Sequence, residues 1–248
     1  MKYATHYQQF TKLTAERRDS TARELASMVS DCLQRTSKLS PRRGLPALDI
    51  GSGSCVGVRS LQLMGLDAVG LDCDEELVAL GRHEGFEVHH CCEPIEFLNT
   101  RPGYFEVIVM RDVLEHFDEA VAERLLSSCY FSLRPGGFVV IATPNGFSPL
   151  ASVMRYIDFT HFFSSTPMSI TPLLLDVGFA EVAIHPTEWS FWRSSGKALW
   201  RSESRRAFVR WVLRHAWRLQ VWAELGIDPK RSGIPVDLNL VLVATRGQ

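Results

Sequence analysis

The chain lacks any uninterrupted apolar stretch approaching the roughly 20 residues that a bilayer-spanning helix needs, so no transmembrane segment is expected. It also lacks an excess of charge: 27 Lys and Arg stand against 28 Asp and Glu, for a formal net charge of -1. That balance excludes an overall field able to gather nucleic acid or anionic lipid, and leaves only local patches for such work. The cysteines Cys32, Cys55, Cys73, Cys91, Cys92 and Cys129 form no CxxC pair, and several fall in apolar segments, a pattern of reduced thiols in a cytoplasmic protein. His89, His90, Cys91 and Cys92 stand side by side, but successive side chains of a strand point to opposite faces and cannot converge, so no metal is expected there. Arg17, Arg18 and Asp19 interrupt the N-terminal region where a signal peptide would need an apolar core. Internal repeats and low-complexity tracts are absent too. What remains is 248 residues, 46% of them hydrophobic, enough to bury one core as a single domain over 1–248.

Hydrophobic spacing predicts a helix from about Tyr3 to Leu39, ended by Pro41, with Leu25, Met28, Val29 and Leu33 on one face. We expect residues 1–40 to form a helical lid. Leu45 to Ile50 then reads as a strand running into glycine, with a helix from Val56 to Met64. The rhythm repeats: a strand over Ala68 to Leu71 ending at Asp72, a helix over Glu75 to His83, a third strand over Phe86 to His89. Phe105 to Met110 is almost wholly apolar, as a central parallel strand covered on both faces should be. A helix over Ala120 to Leu133, a turn at Pro135-Gly136-Gly137 and a fifth strand over Phe138 to Ala142 follow. Alternation of this kind predicts a parallel sheet with right-handed crossovers and a ligand at the carboxyl ends of its strands. A helix over Pro167 to Val177, capped by Gly178, and strands over Glu181 to His185 and Leu238 to Thr245 complete a core spanning 45–186 and 236–246. A basic helical insertion occupies 190–234.

Within this frame, Gly51 and Gly53 let the backbone approach a ligand where any side chain would collide, and the next helix offers N–H groups at its start. Asp49 precedes the turn, and Asp72, at the end of the second strand, can accept both hydroxyls of a ribose. The ordered set Leu48-Asp49-Ile50-Gly51-Ser52-Gly53, Gly70-Leu71-Asp72, Arg111-Asp112-Val113-Leu114-Glu115-His116 and Leu133-Arg134-Pro135-Gly136-Gly137 resembles the class I S-adenosylmethionine-dependent methyltransferases over roughly Leu45 to Phe179. The resemblance implies an α/β, Rossmann-like, doubly wound sheet of seven strands, mostly parallel with the last antiparallel. It implies S-adenosylmethionine as cofactor, with Asp49, Ile50, Gly51, Ser52 and Gly53 forming the turn beside its methionine part and Asp72 on its ribose. Cys73 would flank the adenine, Cys92 or Glu93 stands where that family often has an Asp on the adenine amino group, and Arg111 and Asp112 would border the cofactor. A nicotinamide-binding Rossmann domain also uses glycines and an acid on its second strand, but Asp49 before the turn and the later Leu114-Glu115-His116 are not its fingerprint.

Methyl transfer needs an in-line nucleophile and often a base, and His suits neutral pH. His116 follows the fourth strand directly and could reach the cleft or fix that loop by a hydrogen bond, while Asp158 and His161, three residues apart, could share a face as a dyad or belong to an ordinary packed loop. Thr143-Pro144-Asn145-Gly146, Asp158-Phe159-Thr160-His161-Phe162 and Leu173 to Phe179 resemble a bacterial subset associated with glycans and lipid-linked saccharides, which would make the acceptor a saccharide hydroxyl. A small aromatic or quinone-like hydroxyl held by the aromatic-rich loop from Phe147 to Phe163 is the second reading, and a non-catalytic cofactor-binding partner protein the third. No Asn-Pro-Pro-Tyr type motif follows the fourth strand, which argues against DNA methylation. Arg206, Arg210, Arg214 and Arg218 recur beside an apolar stripe of Phe208, Trp211, Val212, His215, Leu219 and Trp222. That stripe suits peripheral membrane contact or a phosphate-bearing acceptor, and equally a helix packed on the sheet with a solvated basic face.

Overall fold

The computed structural model describes residues 14–36, 41–185, 202–226 and 238–248. Helix α1 (Ala15–Thr36) precedes β1 (Pro46–Ile50), α2 (Val56–Leu63), β2 (Asp67–Asp72), α3 (Glu75–His83), β3 (Val88–His90), α4 (Pro94–Asn99) and β4 (Phe105–Arg111). A 3₁₀ turn (Leu114–His116), α5 (Glu119–Ser132), β5 (Leu133–Pro144), α6 (Ala151–Tyr156), α7 (Pro167–Val177), β6 (Glu181–His185), α8 (Ser202–Leu225) and β7 (Asn239–Thr245) complete the order. The strands form one seven-stranded sheet in the order β3-β2-β1-β4-β5-β7-β6. Pairing is parallel from β3 through β5, and β7 runs antiparallel to both its neighbours. The chain leaves β1 toward β3 and returns on its other side as β4, so the strand order reverses between β1 and β4, where a doubly wound sheet opens its ligand crevice.

Alternation along each strand builds two cores. Val107, Val109, Phe138, Val140, Val241 and Val243 face one layer, where Ala22, Leu25, Val29 and Leu33 of α1 close it. Ile108, Met110, Val139, Ile141, Leu240 and Leu242 face the other, under Leu125, Leu126 and Cys129 of α5 and Ile170 and Leu174 of α7. A strand covered on both faces has no room for alternating polar residues, which is why β4 is so nearly apolar. Its Glu106 is the exception: 3% exposed, it is clasped by the Arg42 guanidinium at 2.8 Å, which gives the buried carboxylate a charged partner.

Helix starts carry their own signals. Asp74 accepts from the N–H groups of Glu76 and Leu77 to cap α3, Asp118 accepts from Val121 to cap α5, and Thr166 and Ser169 form a capping box on α7.

Three boundaries differ from the sequence expectation. The third strand begins at Val88, not Phe86, because only Val88 to His90 reach register with Gly70 to Asp72. The turn Pro135-Gly136-Gly137 lies inside β5 as a bulge: Phe105 pairs with Leu133 but Val107 with Phe138, so the extra residues loop out and the strand resumes. The described part of the N-terminal helix is a layer of the core, with Val29 and Leu33 at 1% and 0% exposure; the rest of the expected lid, 1–13 and 37–40, lies outside the described residues. So do 190–201 and 227–234 of the expected insertion.

Candidate functional site

β1 delivers the chain into Gly51-Ser52-Gly53 at the strand-order reversal. Gly51 and Gly53 have φ of +69° and +47°, left-handed values that disfavour side chains. A Cβ at Gly51 would stand 2.3 Å from Cγ2 of Val113, whereas at Gly53 it would meet only the Gly51 carbonyl oxygen at 4.0 Å. The first glycine is thus needed for packing, and the second leaves bare backbone that a ligand can approach. The loop is pinned to β2: the Ser52 N–H donates to the Leu71 carbonyl at 2.8 Å, and the Gly53 N–H donates to Asp72 Oδ2 at 2.6 Å. Asp72 Oδ1 accepts from the Asp74 N–H at 2.9 Å. Each oxygen of this carboxylate therefore takes one backbone donor and keeps further acceptor capacity for a pair of hydroxyls.

Asp49 and Ile50 lie beneath the loop. Asp49 is 2% exposed, accepts from the Val58 N–H at 3.0 Å, and sits where a Cβ on Gly57 would come within 2.3 Å of its Oδ2. Burial pushes its carboxyl up to about 7, with Arg111 and the Val58 N–H opposing and Asp72 adding to the rise. Asp49 thus braces the start of α2 and holds the turn in place.

At the ends of β2 and β3, His90 Nε2 lies 3.1 Å from the Cys73 carbonyl oxygen and 3.6 Å from Cys92 Sγ, which draws Cys73 and Cys92 to one place. Burial pushes the Cys73 thiol up, so it stays protonated. Glu93 is exposed at the start of α4, its side chain making no capping bond. Arg111 ends β4. Asp112 follows with φ of +55°, a strained value for a residue with a side chain, held by its N–H to the Ala142 carbonyl at 2.8 Å and by Asn239 Nδ2 on its Oδ1 at 3.3 Å. Burial raises its carboxyl, with Arg111 and His161 opposing. Bare backbone at Gly53 and a fixed acceptor at Asp72 suit a nucleoside donor whose ribose hydroxyls meet the carboxylate.

The acceptor side is assembled from distant segments. Glu115, 1% exposed in the 3₁₀ turn after β4, accepts from Thr143 Oγ1 of β5 at 3.1 Å. Burial pushes Glu115 up to about 8, with Asp112 and Asp158 adding to the rise and the Thr143 hydroxyl opposing it. His116 Nδ1 lies 2.8 Å from Thr160 Oγ1, and the Thr160 hydroxyl donates to Asp158 Oδ1 at 2.7 Å. With its one proton spent on Asp158, Thr160 can only accept from His116, which places a proton on Nδ1 and the lone pair on Nε2. Burial and neighbouring His161 pull His116 below its usual value, leaving a neutral imidazole at neutral pH. Asp158 is lowered: burial works against this, but the Thr160 hydroxyl and N–H, then His116 and His161, outweigh it.

Of the two arrangements open for Asp158 and His161, the packed turn is the one observed, and the dyad does not form. Asp158 turns to Thr160, and His161 Nδ1 donates to the Met154 carbonyl at 2.8 Å. A three-residue offset pairs side chains on a helix, and this segment is a turn beyond α6. Instead His161 stands edge-on to His116, ring centroids 4.7 Å apart, while the Phe162 N–H donates to the Glu115 carbonyl at 2.7 Å. The structure thus brings His116, His161 and Asp158 together, and adds Glu115, Thr143 and Thr160, which the sequence reading did not single out. Glu115 beside His116 was the available signal; Thr143 and Thr160 carried none.

The basic helix is only lightly seated. Val221 is buried and Trp217 Nε1 donates to the Phe147 carbonyl at 2.8 Å, but Val212, Leu219 and Trp222 are 41%, 65% and 55% exposed. The expected apolar stripe is therefore not a buried face over its described part; the side chains of Arg206, Phe208, Arg210 and Trp211 are outside the described residues. Leu150, Val153, Tyr156, Ile157, Phe159 and Phe162 extend the exposed apolar surface along α6 and the turn after it. A cavity of about 370 Å³ between Val69, Glu87, Phe97 and Tyr104 lies on the β3 side and is lined by none of the candidate residues. No helix among the described residues is long and apolar enough to cross a membrane.

Residues 48–141 match a family described as a methyltransferase domain. The ubiquinone biosynthesis O-methyltransferase of Roseobacter denitrificans is 29% identical over 180 residues, which cover 64% of this chain and 71% of that protein. Its namesake from Coxiella burnetii is 26% identical over 160 residues, covering 62% and 63%. The mitochondrial namesake of Rattus norvegicus is 29% identical over 113 residues, covering 42% and 32%. The chain thus spans less than two thirds of the latter two relatives. Among solved structures, a SAM dependent methyltransferase from Archaeoglobus fulgidus superposes with a TM-score of 0.61 at 22% identity, covering 89% of this chain and 94% of that one. Phosphoethanolamine N-methyltransferase 2 of Haemonchus contortus, in complex with S-adenosyl-L-methionine, gives 0.54 at 20%, covering 88% and 52%. Domain match, fold and donor-site chemistry agree on an S-adenosylmethionine-dependent methyltransferase, with the matched methyltransferase domain over residues 48–141.

Proposed function

We propose that this S-adenosylmethionine-dependent methyltransferase O-methylates a hydroxyl on a small aromatic or quinone-like acceptor. The observation that carries this reading is the convergence of Glu115, His116 and His161, from either side of β5, at the carboxyl end of β4, beside the strand-order reversal. The donor, when bound, supplies a methyl group activated by a sulfonium. Gly51 to Gly53 and Asp72 hold that donor, with Asp112 at the border between the two sides. Glu115, His116 and His161 handle the acceptor's proton, and Thr160 with Asp158 keeps His116 in one tautomer. Neutral imidazoles are the required form, because only a ring nitrogen with a lone pair can accept a proton or ligate.

The saccharide acceptor suggested by the sequence has no counterpart in the relatives named above. The quinone-like alternative does, in three proteins named for ubiquinone biosynthesis. The exposed apolar surface from Leu150 to Phe162 and along α8 supports a lipophilic acceptor and peripheral contact with the membrane that would carry it. A non-catalytic cofactor-binding role would have no use for three buried or half-buried proton-handling side chains at the crevice. Methyl-labelled donor should put label into organic-extractable ortho-dihydroxybenzene acceptors and none into cell-envelope carbohydrate. Label in carbohydrate, or donor binding without turnover on any phenol, would overturn the reading.

A further inference from the structure

We propose that Glu115, His116 and His161 bind a divalent transition-metal cation of the zinc, cobalt or iron(II) kind. One ligand-capable atom from each of the three lies within 4.8 Å of the others. Atoms on one tetrahedral ion at zinc-like distances stand about 3.4 Å apart, so the three must draw together by at most about 1.4 Å, within the reach of side-chain rotations. The set of two imidazoles and one carboxylate selects borderline cations over magnesium or calcium, which prefer oxygen throughout.

The surroundings are those of a ligand set held in place. His161 Nδ1 faces the Met154 carbonyl at 2.8 Å, a group that can only accept, so its lone pair lies on Nε2. His116 reaches the same tautomer through Thr160 and Asp158. Glu115 Oε2 is oriented by Thr143. Metal-bound histidines regularly carry such an outer hydrogen bond on the ring nitrogen away from the ion. A second observation is independent of geometry: Glu115 is 1% exposed, and among the described residues no Lys or Arg forms an ion pair with it. A buried carboxyl without such a partner is costly to hold in its ionised form, and a bound metal ion would offset that cost.

The site deepens the acceptor reading and, in its chemistry, rests on it. With the ion bound, the lone pairs of His116 and His161 are on the metal, so an acceptor hydroxyl entering the ion's open position would lose its O–H proton to bulk water in place of transfer to those imidazoles, and keep the electron pair on oxygen. The transfer then forms the O–CH₃ bond as the S–CH₃ bond breaks, and the donor leaves as a neutral thioether.

The test is titration of the EDTA-stripped, dialysed full chain with Co²⁺, followed by visible absorption and calorimetry. Wild type should bind one Co²⁺ and show the visible d–d bands of a low-symmetry nitrogen and oxygen site. Glu115→Gln, His116→Gln and His161→Gln should lose stoichiometric binding. Thr160→Val, outside the ligand set, should bind about 10- to 100-fold more weakly. Binding of the demethylated donor, S-adenosylhomocysteine, measured on the same samples, shows which variants remain folded. No stoichiometric Co²⁺ in wild type, or unchanged spectra in folded Glu115→Gln and His161→Gln, overturns the site. The acceptor reading fails separately: bound Co²⁺ with no phenol methylated removes the acceptor and keeps the site, while phenol methylation undiminished by EDTA keeps the acceptor and removes the metal.

Discussion

The two halves of the crevice are built by different means. The donor half, from β1 to β3, is made of backbone: N–H groups of Ser52, Gly53, Asp74 and Val58 fix the loop and two carboxylates within a span of 26 residues, 49–74. The acceptor half is made of side chains from separate segments, Glu115 and His116 after β4, Thr143 on β5, and Met154 to His161 beyond α6. A backbone-built site tolerates little change in chain geometry but much in its surroundings. A site built from side chains can change chemistry with a single substitution and leave the fold intact. Ligand binding and turnover should therefore separate cleanly by mutation.

The largest effect expected is on the backbone side. Gly51→Val combines a β-branched residue at φ of +69° with a Cβ 2.3 Å from Val113 Cγ2, so donor affinity should fall by a hundredfold or more, about 3 kcal/mol, in a calorimetric titration. Next come His116→Ala and His161→Ala, each expected to lower kcat by about 100- to 10,000-fold while donor Kd moves less than about twofold. Loss of donor binding in either would erase the distinction between the halves. Asp72→Asn keeps an acceptor for the Gly53 N–H but removes the charge, and should weaken donor binding by about 10-fold. It should leave Co²⁺ affinity unchanged.

The smallest expected effect concerns pH. Burial raises the Asp49 carboxyl from the ordinary carboxylate range to about 7 in the fold, so between the two the native state holds a proton that the unfolded chain releases. Its contribution is then fully present below about pH 4 and is lost as pH rises through about 7. Urea melts of the donor-free protein should show that decline, and Asp49→Asn, which can still accept from Val58, should flatten it. A decline unchanged in Asp49→Asn would assign the titration elsewhere.

The same division explains what could be read from the sequence. Local geometry dictates the donor half: a strand, a glycine turn and a helix are consecutive, and the acid closing the next strand must land beside them because parallel neighbours end together. Alternating apolar runs placed the seven strands for the same reason. Glu115, Thr143 and His161, by contrast, are neighbours only because β4 and β5 pair in register and the 157–163 turn folds back on Glu115 through Phe162. No local spacing encodes that return. A spacing of three therefore left a dyad open for Asp158 and His161, where the chain makes a turn and Thr160 intervenes. The bulge at Pro135 to Gly137 was read as a strand boundary because Gly and Pro mark both.

Titrating S-adenosylhomocysteine calorimetrically into wild type, the His116→Ala/His161→Ala double variant and Asp72→Asn tests the separation of halves most directly. Wild type and the double variant should bind with the same Kd within about twofold, and Asp72→Asn about 10-fold more weakly. Absence of binding to wild type, or a double variant weakened as much as Asp72→Asn, would contradict it.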